Sequence, residues 1–513
     1  MSPRSDRLPI TRDDAPWLGA ALAAGLLAVA VYLATNPYPA YGAGLYLRIA
    51  ETIAANGYAP PARIAGYTAD GVPFAYPPLQ FYVLAVLLDL GADPVALARF
   101  VPAVGVLAGL VPAYLLARDY AGSRPAGALA GVAIALNPQL LQWHVSAGGV
   151  VRAFAFCYAL TAIYAGYRAF DHGSRRAVAV GALAFGATVL THPTYSLFVV
   201  VTYLLLWAVR DRSAPGVLRG AAVGFGGAAV ASPWLLWVTN THGIAVLTGA
   251  AGTHGGVGGG ATTLLGALSS ATALPLLGAA YLLWVRREWF LATWTLAAEL
   301  LFAQPRFVFA VGSVVAGVVT VDVARRLPAL DGRISVPSVG AVKRREVAAA
   351  ACLLLASVAG GAYLAHEMTL ATDPSTPEFL DDEDVAAMEW AERETAPDAT
   401  FVVLGDAAEW FPALADRTIL VGPWGVEWRG PDAYATQLAS FEAVSRCDSA
   451  SCVERELAAA GADPEYVYLP KAAYTVRGHP EVTFGTLDRS FAAAPDWERA
   501  YENDGVVVFR AVG

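Results

Sequence analysis

From Trp17 to Leu364 the chain repeats apolar runs of roughly 18 to 22 residues, nearly free of charge and separated by short polar stretches. At 1.5 Å of rise per residue, a helical run of that length matches the roughly 30 Å hydrocarbon core of a bilayer. Backbone N–H and C=O groups find no water there, so an isolated run of this kind must satisfy them internally as a helix. A bundle of membrane-spanning helices follows, and the composition agrees: 56% apolar, 15% charged, mean hydropathy +0.49. Spans are expected near residues 17–35, 97–117, 125–142, 152–169, 177–193, 195–209, 219–238, 262–284, 289–303, 306–323 and 346–365.

The pattern then changes abruptly. Residues 370–513 hold 27 Asp and Glu against 10 Lys and Arg, more than the whole chain's formal charge of -9. Short β-branched runs (FVVLG, TILVG, YVYLP, VVVFRAV) alternate with helical pattern such as DVAAMEWAERETA, as in a small α/β domain. An acidic surface with only two lysines in the chain, Lys343 and Lys471, suits very salty surroundings, and it also suits plain solubility. The expected organisation is a cytoplasmic tail over 1–16, a membrane domain over 17–366 with a long first loop at 36–96, and an acidic α/β domain over 367–513.

Charge sets the orientation. The N-terminal tail and alternate loops hold 19 Lys and Arg, whereas the opposite loops hold five, namely Arg48, Arg63, Arg99, Arg152 and Arg306. By the positive-inside rule the N-terminus is cytoplasmic and the acidic domain lies outside a multi-pass plasma-membrane protein. A full span at residues 76–92 would reverse every later loop, so FAYPPLQFYVLAVLLDLG reads as an interfacial segment with its aromatics at headgroup level. Cys447 and Cys452, in RCDSASCVE, are close enough to form a disulfide outside the cytoplasm.

The first loop is far longer than the common connection of about 4–6 residues, and long ordered loops are usually functional. GLYLRIAETIAANGY repeats Leu45, Ile49 and Ile53 at helical spacing, with Arg48 and Glu51 on other faces. Asp70 reads as a turn former, or as a carboxylate held at the surface where it can take a proton or bind a metal. Pro73, Pro77 and Pro78 stiffen the stretch around it, which also contains Tyr76.

Three further outer ends carry polar side chains: Trp143, His144 and Arg152 in LQWHVSAGGVVRAFAF, His192 in LTHPTYS, and Glu299, Gln304 and Arg306 in AAELLFAQPRFVF. Glu299 reads as a functional group within a span or as a structural partner of Arg306. The arginines suit a phosphate, because a guanidinium offers a planar fork of donors, although arginines also snorkel to a membrane surface. In the acidic domain, GDAAEWFPALADRTILVGPWGVEW groups Asp406, Glu409, Trp410, Trp424 and Trp428, a set that suits either sugar stacking or an ordinary core. The Gly-rich THGIAVLTGAAGTHGGVGGG reads as a lid, with His242 and His254 too far apart for a convincing metal site. The chain has no phosphate-binding Walker loop, no HExxH and no dinucleotide-binding glycines, and nothing points to nucleic acid. No motif identifies a cofactor, so a divalent metal is left open.

In order along the chain, LYLRIAETIAANGY, YPPLQFYVLAVLLDLG, NPQLLQWHVSAGGVVRAFAF and QPRFVFAVGSVVAG resemble segments of the GT-C superfamily of polytopic glycosyltransferases. That superfamily includes protein O-mannosyltransferases, aminoarabinose transferases and oligosaccharyltransferase catalytic subunits. The resemblance implies about 7 to 13 spans, a polyprenyl-phosphate sugar donor, a glycan, lipid or protein acceptor at the outer face, and a first-loop carboxylate as base. It implies Arg152, Arg306 and Arg48 as donor-phosphate ligands. The usual acid is missing: YPAYGAGLYLR has Gly42 or nearby small residues where it is expected. Asp70 is then the expected base, with Glu51 second. The alternative is an inactive GT-C-like binder or translocation partner for lipid-linked glycans.

Overall fold

The structure is a computed structural model that describes residues 10–250, 253, 272–302, 304–330, 332–336, 340–371, 375–471, 473–482 and 484–512. Helices Arg12–Thr35, Pro94–Ala121, Gly149–His172, Pro193–Arg210, Ala214–His242, Pro305–Arg326 and Arg344–Met368 are long and apolar enough to cross a membrane. Four shorter ones, Arg124–Ala135, Arg175–Val189, Ala273–Arg286 and Trp289–Leu301, fall at the remaining expected spans. Residues 262–271 of one expected span, and His254 of the Gly-rich loop, lie outside the described residues.

One expected span is corrected. Residues 125–142 do not form a single helix: the chain stops at Ala135 and restarts as Pro138–Val145. Proline disfavours the helical conformation of the residue before it, and Asn137 is accordingly extended at φ -94°, ψ 110°. The break places Trp143 and His144 on a short helix at the end of the bundle.

Small residues bring the helices together. A Cβ at Gly317 would lie 2.3 Å from the carbonyl oxygen of Ala126, so those two backbones pack at a separation no larger side chain allows.

Residues 79–89 form an eleven-residue helix, about 16 Å long and too short to span. Its Phe81, Leu84 and Ala85 are buried in the same core as Tyr46 and Phe74 of the first loop and Phe401 and Trp410 of the acidic domain. The first loop and the C-terminal domain are therefore one packed body. Ile419 N–H donates to Gly66 at 2.9 Å, Tyr41 N–H to Pro377 at 2.8 Å, and Arg48 pairs with Asp416 at 2.6 Å.

The C-terminal domain is built on a five-stranded sheet in the spatial order Trp497–Glu502, Val506–Ala511, Tyr466–Pro470, Thr400–Val403, Thr418–Ile419. The last three strands are parallel and the first two add on antiparallel. The chain leaves Thr400–Val403 toward one edge and leaves Tyr466–Pro470 toward the other. Diverging connections of this kind open a crevice at the carboxyl ends of the strands, where α/β sheets place ligands.

Candidate functional site

The segment leaving Thr400–Val403 fills that crevice and packs against the first loop. Asp406–Glu409 forms one 3-10 turn. Asp406 is buried and its two oxygens accept the N–H groups of Arg477 (3.0 Å) and Gly478 (2.7 Å), which ties the turn to the loop beyond the neighbouring parallel strand. From the other side, Tyr67 Oη donates to the Glu409 carbonyl at 2.5 Å and Trp410 Nε1 donates to the Tyr41 carbonyl at 3.2 Å. Glu409 is thereby clamped between first loop and sheet. Its half-buried carboxylate makes no hydrogen bond or ion pair among the described residues.

Burial, followed by the neighbouring Asp406, pushes the Glu409 carboxyl up to about 8, with Arg152 and Arg477 opposing the shift. Nearby Glu427 is buried too and pushed up to about 7, for the same first reason.

Two arginines supply the opposite charge. Arg152 lies in the first turn of Gly149–His172 and Arg306 in the first turn of Pro305–Arg326. Their guanidinium carbons stand 5.6 and 5.8 Å from the centre of the same ring, Trp143, whose other neighbour is the stacked ring of Tyr41 at 5.3 Å. Arg152 folds back so closely that a Cβ at Gly148 would meet its Nη1 at 2.1 Å. Arg306 is buried, donates to Gln304, and keeps a buried Nε without a partner among the described residues. Neither arginine is ion-paired with a described carboxylate, although two like charges share one aromatic platform. Two guanidiniums so placed suit an anionic ligand such as a phosphate.

Phenols line the wall beside Arg152. The hydroxyls of Tyr46 and Tyr76 are 3.4 Å apart, and burial raises both groups so that they remain donors at physiological pH. His144 holds a third phenol. Its Nδ1 lies 2.6 Å from the Leu140 carbonyl, which can only accept, so Nδ1 bears the hydrogen and Nε2 accepts from Tyr195 Oη at 2.6 Å. Tyr195 lies in turn 5.6 Å from the Arg306 guanidinium. His144 therefore positions rather than reacts, consistent with burial lowering it to about 3.

The structure thus brings Arg152, Arg306, Tyr76 and His144 into one cluster and leaves other expected residues outside it. His192 caps its helix, accepting from Thr194 N–H at 3.3 Å, with its ring 6.3 Å from Tyr76. Asp70 is exposed at the tip of the Arg63–Pro73 hairpin, where its carbonyl accepts from Arg63, and its carboxylate makes no hydrogen bond or ion pair with these residues. Arg48 bridges Glu51 (3.4 Å) and Asp416 (2.6 Å), joining the surface helix to the C-terminal domain instead of facing Trp143. Glu51, on that same bridge, is pushed up to about 7 by burial against the pull of Arg48. Glu299 is buried but does not pair with Arg306, whose bond goes to Gln304. Trp410 and Trp424 are core residues, the latter against Phe441, while Trp428 packs on Tyr76. Cys447, just after helix Pro431–Ser445, forms a disulfide with Cys452 in the first turn of Ala450–Ala460. Among the described residues no three His, Cys, Asp or Glu side chains form a cluster suited to a metal.

Sequence reasoning had singled out Trp143 and Glu409 but had not joined them, and it passed over Tyr41, Glu427 and Arg477. For Glu409 one local signal existed: a Gly-Asp turn directly after a strand, followed by an acid.

The sequence profile of the dolichyl-phosphate-mannose-protein mannosyltransferases matches residues 75–237. No curated protein sequence matches the chain. An oligosaccharyltransferase of Archaeoglobus fulgidus, solved with a tethered acceptor peptide, superposes with TM-score 0.58 at 16% identity over 89% of this chain and 69% of its own. ArnT of Cupriavidus metallidurans, solved with undecaprenyl phosphate, gives 0.57 at 15% identity over 97% of this chain and 98% of its own. The mycobacterial arabinofuranosyltransferase AftD gives 0.56 at 14% identity over 97% of this chain and 41% of its own. With its bundle, its packed first loop and its C-terminal domain, this chain has the fold of the GT-C superfamily of membrane glycosyltransferases.

Proposed function

We propose that the protein transfers a sugar from a polyprenyl-phosphate donor to a glycan, lipid or protein acceptor at the outer membrane face. The observation that carries this reading is the pair Arg152 and Arg306 on Trp143, two guanidiniums without a carboxylate partner among the described residues. They sit in the first turns of two membrane-length helices, and a helix end is where a lipid phosphate can be met while its chain stays in the bilayer. Bonds from two charged donors stabilise the phosphate most when it leaves with a second negative charge, which makes the pair an aid to bond breaking as well as a grip. The ArnT structure with undecaprenyl phosphate supports this donor class. The charge asymmetry of the loops and the disulfide of the C-terminal domain support an outer location.

The test is binding of polyprenyl phosphate and of the phosphate-free polyprenol to the purified protein in lipid discs. Phosphate-dependent binding that weakens in Arg152→Ala and in Arg306→Ala is expected. Equal binding of both lipids would remove the reading.

A further inference from the structure

The carboxylate of Glu409 reaches across from the C-terminal domain and lies against Gly42 of the first loop. A Cβ built on Gly42 would stand 1.7 Å from Glu409 Oε2 and 2.4 Å from Oε1, inside the carboxylate itself. Gly42 does not have a positive φ, so its backbone would accept any side chain. Only the space is taken. Gly44, at the start of the surface helix, makes the same allowance for the Glu409 backbone, whose carbonyl oxygen would be 2.1 Å from a Cβ there. Two glycines in the first loop thus open a slot that admits one acid from the far end of the chain.

An acid that merely stabilised the fold would sit in an ion pair or accept hydrogen bonds, as Asp406 does one turn earlier. Glu409 does neither among the described residues, and its carboxylate lies close enough to Arg152 for the two charges to act on each other. A half-buried, rigidly held and unpartnered carboxylate opposite an anion site matches what a general base needs: proximity, a fixed position and no competing partner.

We propose that Glu409 is the general base of sugar transfer, supplied by the C-terminal domain where the first loop has only Gly42. The proposal rests on the donor reading above. In the step, the acceptor oxygen forms a bond to the anomeric carbon while its proton passes to Glu409. The bond from that carbon to the phosphate oxygen breaks, and its electron pair stays on the polyprenyl phosphate held by Arg152 and Arg306.

The test compares the wild type with Glu409→Gln, Glu409→Ala and Glu409→Ala combined with Gly42→Asp, each as full-length protein in lipid discs. The donor probe is a polyprenyl monophosphate carrying a radiolabelled hexose, prepared from the source cells' membranes, and the acceptor is the envelope fraction of cells lacking the gene. Glu409→Gln should lower turnover by about 100-fold or more while donor binding stays within about twofold. The double variant, which returns a carboxylate to nearly the same place, should regain at least about tenfold over Glu409→Ala, as general-base catalysis requires. Near-wild-type turnover in Glu409→Gln, or donor binding lost in parallel with turnover, would overturn the base role while leaving the donor reading intact. Absence of both donor binding and turnover in the wild type would defeat the donor reading and this proposal together.

Discussion

The Glu409 carboxylate occupies the volume into which a side chain at position 42 would project. Gly42→Asp alone should therefore overpack a site between the first loop and the C-terminal domain. Overpacking typically costs about 1–3 kcal/mol. Thermal unfolding of the purified variant should show the loss, and Glu409→Ala in the same chain should restore much of it.

The Glu409 carboxyl, raised to about 8, sets the expected pH dependence. The groups acting on it are Asp406, Glu427, Arg152 and Arg477, with Tyr46 and Tyr67 alongside. A base works deprotonated, so turnover should rise from pH 7 to pH 9 and level off. Stability runs the other way: a carboxyl raised from 4.5 binds more protons folded than unfolded, so its effect on stability is lost as pH climbs from about 4.5 to about 8. Unfolding midpoints across that window should fall less in Glu409→Gln than in the wild type.

Asp70 and Glu409 give opposite expectations. With its carboxylate exposed at the hairpin tip, Asp70→Asn should keep at least about half of the transfer rate, as surface substitutions away from packed features usually do. A loss of about 100-fold in Asp70→Asn, with Glu409→Gln unaffected, would return the base role to the first loop.

His144 joins the Leu140 carbonyl to Tyr195 Oη, and Tyr195 supports Arg306. Replacing it by Phe leaves the buried Tyr195 hydroxyl without its acceptor, at about 1–3 kcal/mol, while the Leu140 carbonyl keeps its place in the helix. The expected result is a lower unfolding midpoint together with weaker polyprenyl-phosphate binding. Unchanged binding would separate His144 from the phosphate site.

The Cys447–Cys452 disulfide closes a short loop, so its loss should cost roughly 2 kcal/mol or less. Alkylation of intact cells followed by mass measurement should find the pair oxidised and, among the described cysteines, Cys157 and Cys352 reduced. A reduced pair in cells would argue against an outer C-terminal domain.

The helices were legible because lipid admits few backbone solutions, so length and polarity alone mark out the segments. The break at Asn137–Pro138 was written in the proline, although the apolar run through it hid the stop. Arg152 and Arg306 were legible as ionisable residues at span ends, since charge there is expensive and needs a reason. Their meeting on Trp143 was not, because helix packing decides which ends converge. Least legible was Glu409. Its position depends on a parallel strand, a 3-10 turn and two glycines far away in sequence, and no local pattern records that Gly42 leaves room for it. Asp70, by contrast, stood out locally in a proline-rich stretch, where its conformation serves the hairpin turn.

The most direct measurement follows both products of the reaction in the purified wild-type protein: label moved from polyprenyl-phosphate hexose to the envelope acceptor, and polyprenyl phosphate released. One polyprenyl phosphate is expected for each sugar transferred, with both falling in Arg152→Ala and in Arg306→Ala. Donor left unconsumed, and bound no better than polyprenol, would contradict it.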